Sequence, residues 1–184
     1  MLQLPYKHLF DLCVSLKKAE NVEEENLLSI KEYLSKPVII ESEFGDFVLN
    51  RSMSCFESKV YLDESTLNVY LETDKDNDDT ANNAIETFIS IANNFNEFDM
   101  KNKEAAANFL LELANDWLAD YDSENKPEEI TKQMFMDAIE ISEVTISPAG
   151  SMTVYYDDGN LFWGHVIEMY IESDGSCSDA HIAG

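Results

Sequence analysis

The decisive stretch of this chain is YYDDGNLFWGHVIEMYI, residues 155–171. Asp158 and Gly159 stand between two runs of alternating apolar residues. Asp-Gly favours a two-residue β-hairpin turn, because both central residues need positive φ. We predict a tight hairpin that pairs Asp157 with Asn160. Its register puts three cross-strand pairs on one face: Tyr156 with Leu161, Val154 with Trp163, and Met152 with His165.

The apolar face of this hairpin continues through Ile167, Met169 and Ile171. A register slip of one residue would turn that whole row to solvent, so the register is strongly specified. Glycine inside a strand often marks a bulge, and a bulge at Gly164 would turn His165 to the opposite face.

The opposite face of the hairpin carries three aromatic side chains, Tyr155, Phe162 and Tyr170. Two interpretations stay open. An exposed apolar patch rimmed by acids would suit a protein partner with aromatic or basic anchors. Alternatively, a helix covers this face and the three side chains belong to the core.

The charge balance limits the partners that the chain can bind. It has 184 residues, enough for one domain or one domain with a small subdomain, and a formal net charge of −25. By the mass scaling, the folded surface is on the order of 9,000 Å², or roughly one net negative charge per 360 Å². Such a field repels nucleic acid and anionic membranes. We expect a basic protein or a cation as partner, or simply a solvated acidic surface.

The cysteines and the hydropathy predict the compartment. Cys13, Cys55 and Cys177 cannot all pair within the chain and form no CxxC. We expect reduced thiols in a cytoplasmic protein. The first residues do not read as a signal peptide, and no apolar run approaches the length of a membrane span.

The first 36 residues are predicted to form a separate helical segment. Leu9, Cys13 and Leu16 recur at helical spacing, and Asn21 resembles the N-cap of a second helix that ends at Lys36-Pro37. The helical hairpin packs on the rest of the chain or forms a separable appendage. Residues 37–184 are then the main domain.

Residues 37–184 are predicted to form an α+β domain. Period-two patterns predict strands near residues 38–40, 47–49, 54–62, 67–71 and 144–146. Helical periodicity predicts an αα pair at residues 80–95 and 99–119, with Trp117 in the core, and Thr131 as the cap of a short helix. We predict an antiparallel sheet packed by this pair.

Two short features of the domain allow more than one interpretation. VYLETD at 69–74 echoes MYIESD at 169–174, which indicates either two related meander halves or chance similarity. DKDNDD at 74–79 begins like a calcium loop, but Asp79 replaces the required glycine and Ile85 the bidentate glutamate. We predict a solvated turn before a helix.

Several phrases of the chain resemble a bacterial family of unknown function, the domain-of-unknown-function family 2262. The resemblance covers roughly residue 38 to the C-terminus, and its most specific piece is DG-x-LFWGH with a late A-x-I-A-G. It rests on GDFVLNRSMSCFE (45–57), YLETD (70–74), LELANDWL (111–118), VTISP (144–148), DDGNLFWGHVIEM (157–169) and AHIAG (180–184). It implies a cytosolic α+β protein without an established activity. Related domains occur among genes that resemble immunity proteins for secreted toxins.

The hairpin also supplies the candidate site. As a general base, His165 would need a carboxylate, but the predicted register places Asp157 on the opposite face, roughly 15 Å away or more. A histidine buried between sheet and helix layers is the structural alternative. No zinc spacing, P-loop, GxGxxG or GxSxG occurs, so we predict no catalytic residue, metal or cofactor.

Three functions follow as hypotheses, the third of which is a structural or regulatory domain with no ligand. The first is a non-enzymatic, acidic protein-binding module, immunity-like in type. The second is a small-ligand or enzyme domain around Trp163 and His165, which requires a solvent-connected pocket there. The predicted binding residues are Trp163, His165, Asp157, Asp158, Tyr155 and Phe162.

Overall fold

The computed structural model describes residues 35–120 and 127–184. The predicted N-terminal helical segment, residues 1–36, therefore lies almost wholly outside the described residues. Within them, no helix combines the length and the apolar composition that crossing a bilayer requires.

The described strands form one sheet in sequence order. All neighbours pair antiparallel except β4 and β5, which pair in parallel through Val69 opposite Val144 and Leu71 opposite Ile146. The sheet is thus two antiparallel meanders joined at one parallel seam, and the mixed α+β class is confirmed. The strands are β1 Ile39–Ile40, β2 Phe47–Asn50, β3 Cys55–Leu62, β4 Ser65–Glu72, β5 Glu140–Ile146, β6 Met152–Asp157, β7 Val166–Ile171 and β8 Cys177–Ala183.

Three described helices lie between β4 and β5: α1 Asn82–Ala92, α2 Phe95–Asp120 and α3 Lys132–Ala138. They belong to the crossover that a parallel strand pair requires. The Thr131 hydroxyl accepts the Met134 N–H at 3.2 Å, which confirms the predicted cap of α3. Residues 74–79 form the predicted turn, and a carboxylate oxygen of Asp74 accepts the Asn82 N–H at the start of α1. Packing of α1 against α2 as a pair stays a prediction.

The helices cover one face of the sheet. Phe88 of α1 packs edge-on against Phe47 of β2, with ring centroids 5.1 Å apart. The Tyr156 hydroxyl of β6 donates to Asp99 of α2 at 3.0 Å. Burial, followed by the charge of Asp99, raises the pKa of Tyr156 well above its usual value, so this hydroxyl stays a donor. The fully buried apolar side chains of the strands line this covered face.

The predicted two-residue hairpin is wrong. Strands β6 and β7 pair Asp157 with Val166, and residues 158–165 form a loop between them. The predicted partners Leu161, Trp163 and His165 therefore lie outside the ladder, and Tyr156, Val154 and Met152 pair with Ile167, Met169 and Ile171 instead. The ladder shifts by an even number of residues, so these six side chains still share the covered face, as predicted.

Strand β8 and the two echoing segments complete the comparison of the sheet with its prediction. Strand β8 was not predicted, because its sequence CSDAHIA has no clear alternation. The echoing segments lie in β4 and β7 and run into the turns that follow them. Whether the two meanders are related stays a prediction.

Candidate functional site

Asp158 organises the loop that replaces the hairpin. Its carboxylate is 4% exposed and accepts three backbone N–H groups: from Asn160 at 3.0 Å, Phe162 at 2.7 Å and Gly164 at 3.0 Å. Aspartate side chains commonly bond nearby backbone in this way and so compete with regular structure. The carboxylate predicted to face a ligand is therefore used within the loop.

Gly159 allows the loop to lie against the end of α3. Its φ is +57°, and a Cβ built there would be 2.2 Å from the carbonyl oxygen of Ala138. No side chain fits at that distance. Of the Asp-Gly pair, Gly159 has the predicted positive φ and Asp158 does not, and the glycine serves a close loop–helix contact rather than a tight hairpin.

Phe162 anchors the loop in the core. It is fully buried, and its ring packs edge-on against Trp117 of α2 at 5.6 Å and against Phe135 of α3 at 6.3 Å. The sequence predicts that Phe162 shares a sheet face with Tyr155 and Tyr170. That prediction is wrong, because Phe162 lies among the helices.

Trp163 points outward from the same loop. Its side chain is 58% exposed, and its backbone lies in the left-handed region at φ +59°. That conformation costs a tryptophan free energy, so it persists only because the neighbouring contacts impose it. The exposed indole lies over Trp117, with centroids 4.8 Å apart and planes inclined by 53°.

His165 completes a cluster that we call the tryptophan corner: Trp117, Trp163 and His165. The imidazole is half-buried and packs edge-on against Trp117 at 5.7 Å. Trp117 is partly buried and packs against the core, as predicted, and it also supports Trp163 and His165. The neighbouring Asn115 fixes this end of α2, because its side chain exchanges two hydrogen bonds with the backbone of Ile130, at 2.8 and 3.0 Å.

The remaining predicted site residues lie elsewhere. Asp157 is exposed at the end of β6, where the loop begins. Tyr155 lies on the sheet face opposite the helices, where its hydroxyl donates to Glu168 at 3.1 Å. The structure therefore brings Trp163 and His165 together above Phe162 and Asp158, and separates Tyr155 from them by the sheet.

Sequence reasoning missed Trp117 as a partner of Trp163. The available signal was modest: these are the two tryptophans of the chain, and both lie in phrases that carry the family resemblance. No spacing rule connects a position on α2 with a loop between β6 and β7. Their contact depends on how the crossover helices return to the sheet.

The corner has no assembled acid–base pair among the described residues. Within that part of the chain no carboxylate bonds to the His165 imidazole, and Asp158 is occupied by backbone N–H groups. The described residues also contain no cluster of three histidine, cysteine, aspartate or glutamate side chains able to hold a metal ion.

The side chains on the sheet face opposite the helices form what we call the open face. Each strand from β3 to β8 contributes a carboxylate to it: Glu57, Glu72, Glu143, Asp157, Glu168 and Asp179. Lys59 is the only lysine or arginine in the described strands.

Two tyrosines of the open face share one carboxylate oxygen of Glu168, Tyr155 at 3.1 Å and Tyr170 at 2.8 Å. His181 lies 3.7 Å from the other oxygen. Burial and the hydrogen bond to Glu168 raise the pKa of Tyr155 to about 12. Both hydroxyls therefore stay protonated donors at neutral pH.

Two clefts indent the open face. One, of about 370 Å³, lies across β4 to β8 and is lined by hydroxyl side chains together with Glu72, Glu172 and Tyr170. The other, of about 300 Å³, lies over β2 to β4 and includes Glu57, Lys59 and Tyr70. Neither of these two clefts has a lining residue from the loop 158–165.

A comparison with known protein families identifies the family of the chain. The model of DUF2262, described as an uncharacterized protein conserved in bacteria, matches residues 41–182. The chain belongs to the DUF2262 family. The resemblance noted in the sequence is thereby confirmed, and the DUF2262 match spans both the tryptophan corner and the open face. No curated protein and no solved structure matches the chain.

Proposed function

We propose that this DUF2262 protein is a non-enzymatic, acidic protein-binding module that uses the tryptophan corner as its anchor. The observation that carries the proposal is Trp163, which is 58% exposed although the loop around it is fixed by Asp158 and Phe162. Tryptophans that are presented rigidly are enriched among the residues that dominate binding energy at protein interfaces.

Preorganisation supports this role. An indole on a mobile loop would lose conformational entropy on binding, which reduces affinity. Here the loop is already held by three hydrogen bonds to Asp158, and Trp117 supports the ring from beneath. The strained backbone at Trp163 is consistent with a residue whose presentation is selected for function.

The charge of the chain supports a basic partner. A net charge of −25 attracts a positively charged protein over a distance of about 10 Å at 0.1 M salt. Such steering acts mainly on the association rate. We therefore expect association to slow as salt is raised, while dissociation, which depends on contacts such as Trp163, changes little.

The association of related domains with immunity proteins suggests a toxin as the partner. An immunity-type role means that the chain covers the basic active surface of a toxin domain in the cytoplasm. Co-expression tests this role directly. The chain should restore growth to cells that produce a toxin encoded beside it, and the variant Trp163→Ala should restore less.

A small-ligand or enzyme domain at Trp163 and His165 is the alternative. His165 supports it, because the imidazole is half-buried beside Trp117. A ligand at this position would quench tryptophan fluorescence and raise the thermal midpoint of the purified protein. The variant His165→Ala would then remove both effects.

The main test is capture of a partner with matched variants. The immobilised full chain, the variant Trp163→Ala and the control Phe109→Ala are exposed to lysate of the encoding bacterium. Phe109 is 47% exposed on α2 and lies outside the open face, so the control also removes an exposed aromatic ring. We expect one basic protein to bind the wild type and the control, with affinity reduced about tenfold or more by Trp163→Ala.

Two results would contradict the protein-binding role. One is equal binding of the wild type and Trp163→Ala, which would remove the corner from the interface. The other is an association rate that does not respond to salt, which would remove the electrostatic part. Thermal unfolding of each variant shows that the fold is intact.

A further inference from the structure

We infer that the open face docks an extended, arginine-rich segment of a protein partner. The inference rests on the proposed function, since it gives the basic partner a second contact on the side of the sheet away from the helices. It assigns that contact to the two clefts of the open face.

The open face has no helix on it among residues 35–120 and 127–184. Helix side chains pack on the other side of the sheet, as Phe88 on Phe47 and Asp99 on Tyr156 illustrate. A sheet face of this size is either solvated or occupied by a partner. Exposed apolar side chains on it favour an occupant: Ile39, Val48, Tyr61 and Tyr170 are each more than 40% exposed.

Charge complementarity selects the chemistry of that occupant. A carboxylate stands on every strand from β3 to β8, and Lys59 is the only fixed positive charge in the described strands. A cationic segment lying across the strands would neutralise these carboxylates. An acidic partner, a nucleic acid or a second copy of this chain would increase the repulsion.

The larger cleft has the donor–acceptor pattern that a guanidinium group needs. Hydroxyl oxygens of Thr145, Ser151 and Thr153 line it, and Glu72 and Glu172 contribute carboxylates. An arginine has N–H donors and no acceptor, so a wall of acceptor oxygens suits it. Tyr170 adds a ring, 41% exposed, against which the planar guanidinium can stack.

The two clefts are neighbours. Tyr70 lines the smaller cleft and Glu72 the larger, and these residues are two apart on the same face of β4. Alternate residues of a strand lie roughly 6.6 Å apart. Alternate side chains of an extended partner segment have the same spacing, so one segment with arginine at every second position can reach both clefts.

The test uses a defined probe, a synthetic fluorescent peptide of alternating arginine and serine, and measures its anisotropy with the full chain. The double variant Glu72→Gln, Glu172→Gln removes two cleft charges. The control Glu97→Gln, Glu112→Gln removes two exposed charges from α2, so both variants have the same net charge. We expect the cleft variant to weaken binding about tenfold and the control less than about twofold.

Equal weakening by both variants would overturn the inference, because diffuse electrostatics would then explain the binding. A second copy of the chain in the clefts would show as a dimer in sedimentation that the cleft variant dissociates. Residues 1–34 in the clefts would show as intramolecular cross-links to Tyr170, which lines the larger cleft. Either outcome also overturns the inference.

The variant Trp163→Ala separates this inference from the proposed function. It should leave peptide affinity unchanged, because the corner and the open face lie on different sides of the sheet. Peptide binding without partner capture would contradict the proposed function alone. Trp163-dependent capture without cleft-dependent peptide binding would contradict the inference alone.

Discussion

Asp158 and its neighbour Asp157 have the same side chain and opposite roles. The carboxylate of Asp158 is buried and satisfies three backbone N–H groups, whereas Asp157 is exposed. A buried carboxylate with several hydrogen bonds stabilises a loop strongly, and its removal leaves the donors unsatisfied. Residue type alone does not separate the two positions, since each is an aspartate beside the same turn.

We expect Asp158→Ala to lower the free energy of unfolding by about 3 kcal/mol. The matched control, Asp157→Ala, should change it by less than about 0.5 kcal/mol. Urea denaturation followed by tryptophan fluorescence measures both, because Trp163 lies in the affected loop. Similar values for the two variants would show that the loop does not depend on the buried carboxylate.

At the scale of elements, the loop 158–165 docks on α2 and α3 and thereby forms the tryptophan corner. Gly159 makes the closest approach, to the carbonyl oxygen of Ala138, and Phe162 fills the space between the two helices. Gly164 also has positive φ, at +90°, but a Cβ there would meet nothing within 4 Å. A substitution at Gly159 therefore tests steric exclusion together with backbone strain, whereas a substitution at Gly164 tests backbone strain alone.

We expect Gly159→Ala to destabilise the protein by roughly 3 kcal/mol or more, since a backbone carbonyl has to move to make room. Gly164→Ala, which adds only the cost of the left-handed conformation, should destabilise it by roughly 1–2 kcal/mol. Thermal unfolding of both variants measures the difference. A penalty at Gly164 as large as that at Gly159 would show that the contact with α3 is unimportant.

At the scale of the whole molecule, the sheet separates the two surfaces for which we propose binding. The helices and the tryptophan corner lie on one side, and the acidic open face with its shared Glu168 lies on the other. The open-face tyrosines also link stability to pH. The folded pKa of Tyr155, about 12, lies above its ordinary value of 10. The folded state therefore holds this proton more tightly than the unfolded state.

The sign of the pH dependence follows from that difference. The stabilisation from Tyr155 is fully present below pH 10 and is lost as the pH rises through about 12. We expect the urea midpoint to fall over this range, and to fall less in Tyr155→Phe. Absorbance titration of the phenolates should show that the variant lacks one tyrosine that ionises near pH 12. If the urea midpoint of Tyr155→Phe fell as steeply with pH as that of the wild type, the assignment to Tyr155 would be contradicted.

The amino-acid sequence is sufficient to predict the class of the fold, the two longer helices, the cap at Thr131, most strands, the acidic surface and the family. These features depend on residue periodicity, capping side chains and composition, which act locally. It also placed Met152, Val154 and Tyr156 on the covered face, because an even shift of register preserves the face of a strand.

Four features depend on long-range packing: the loop 158–165, the partner of Trp163, the parallel seam and strand β8. A tight Asp-Gly turn would have kept Phe162 on the open face. Burying a phenylalanine side chain is worth about 1.5–3 kcal/mol, and three hydrogen bonds to a buried carboxylate add to it. Those terms require α2 and α3 to be in place. The contacts with α2 and α3 therefore outweigh the local preference for a tight turn, and no short stretch of sequence contains those contacts.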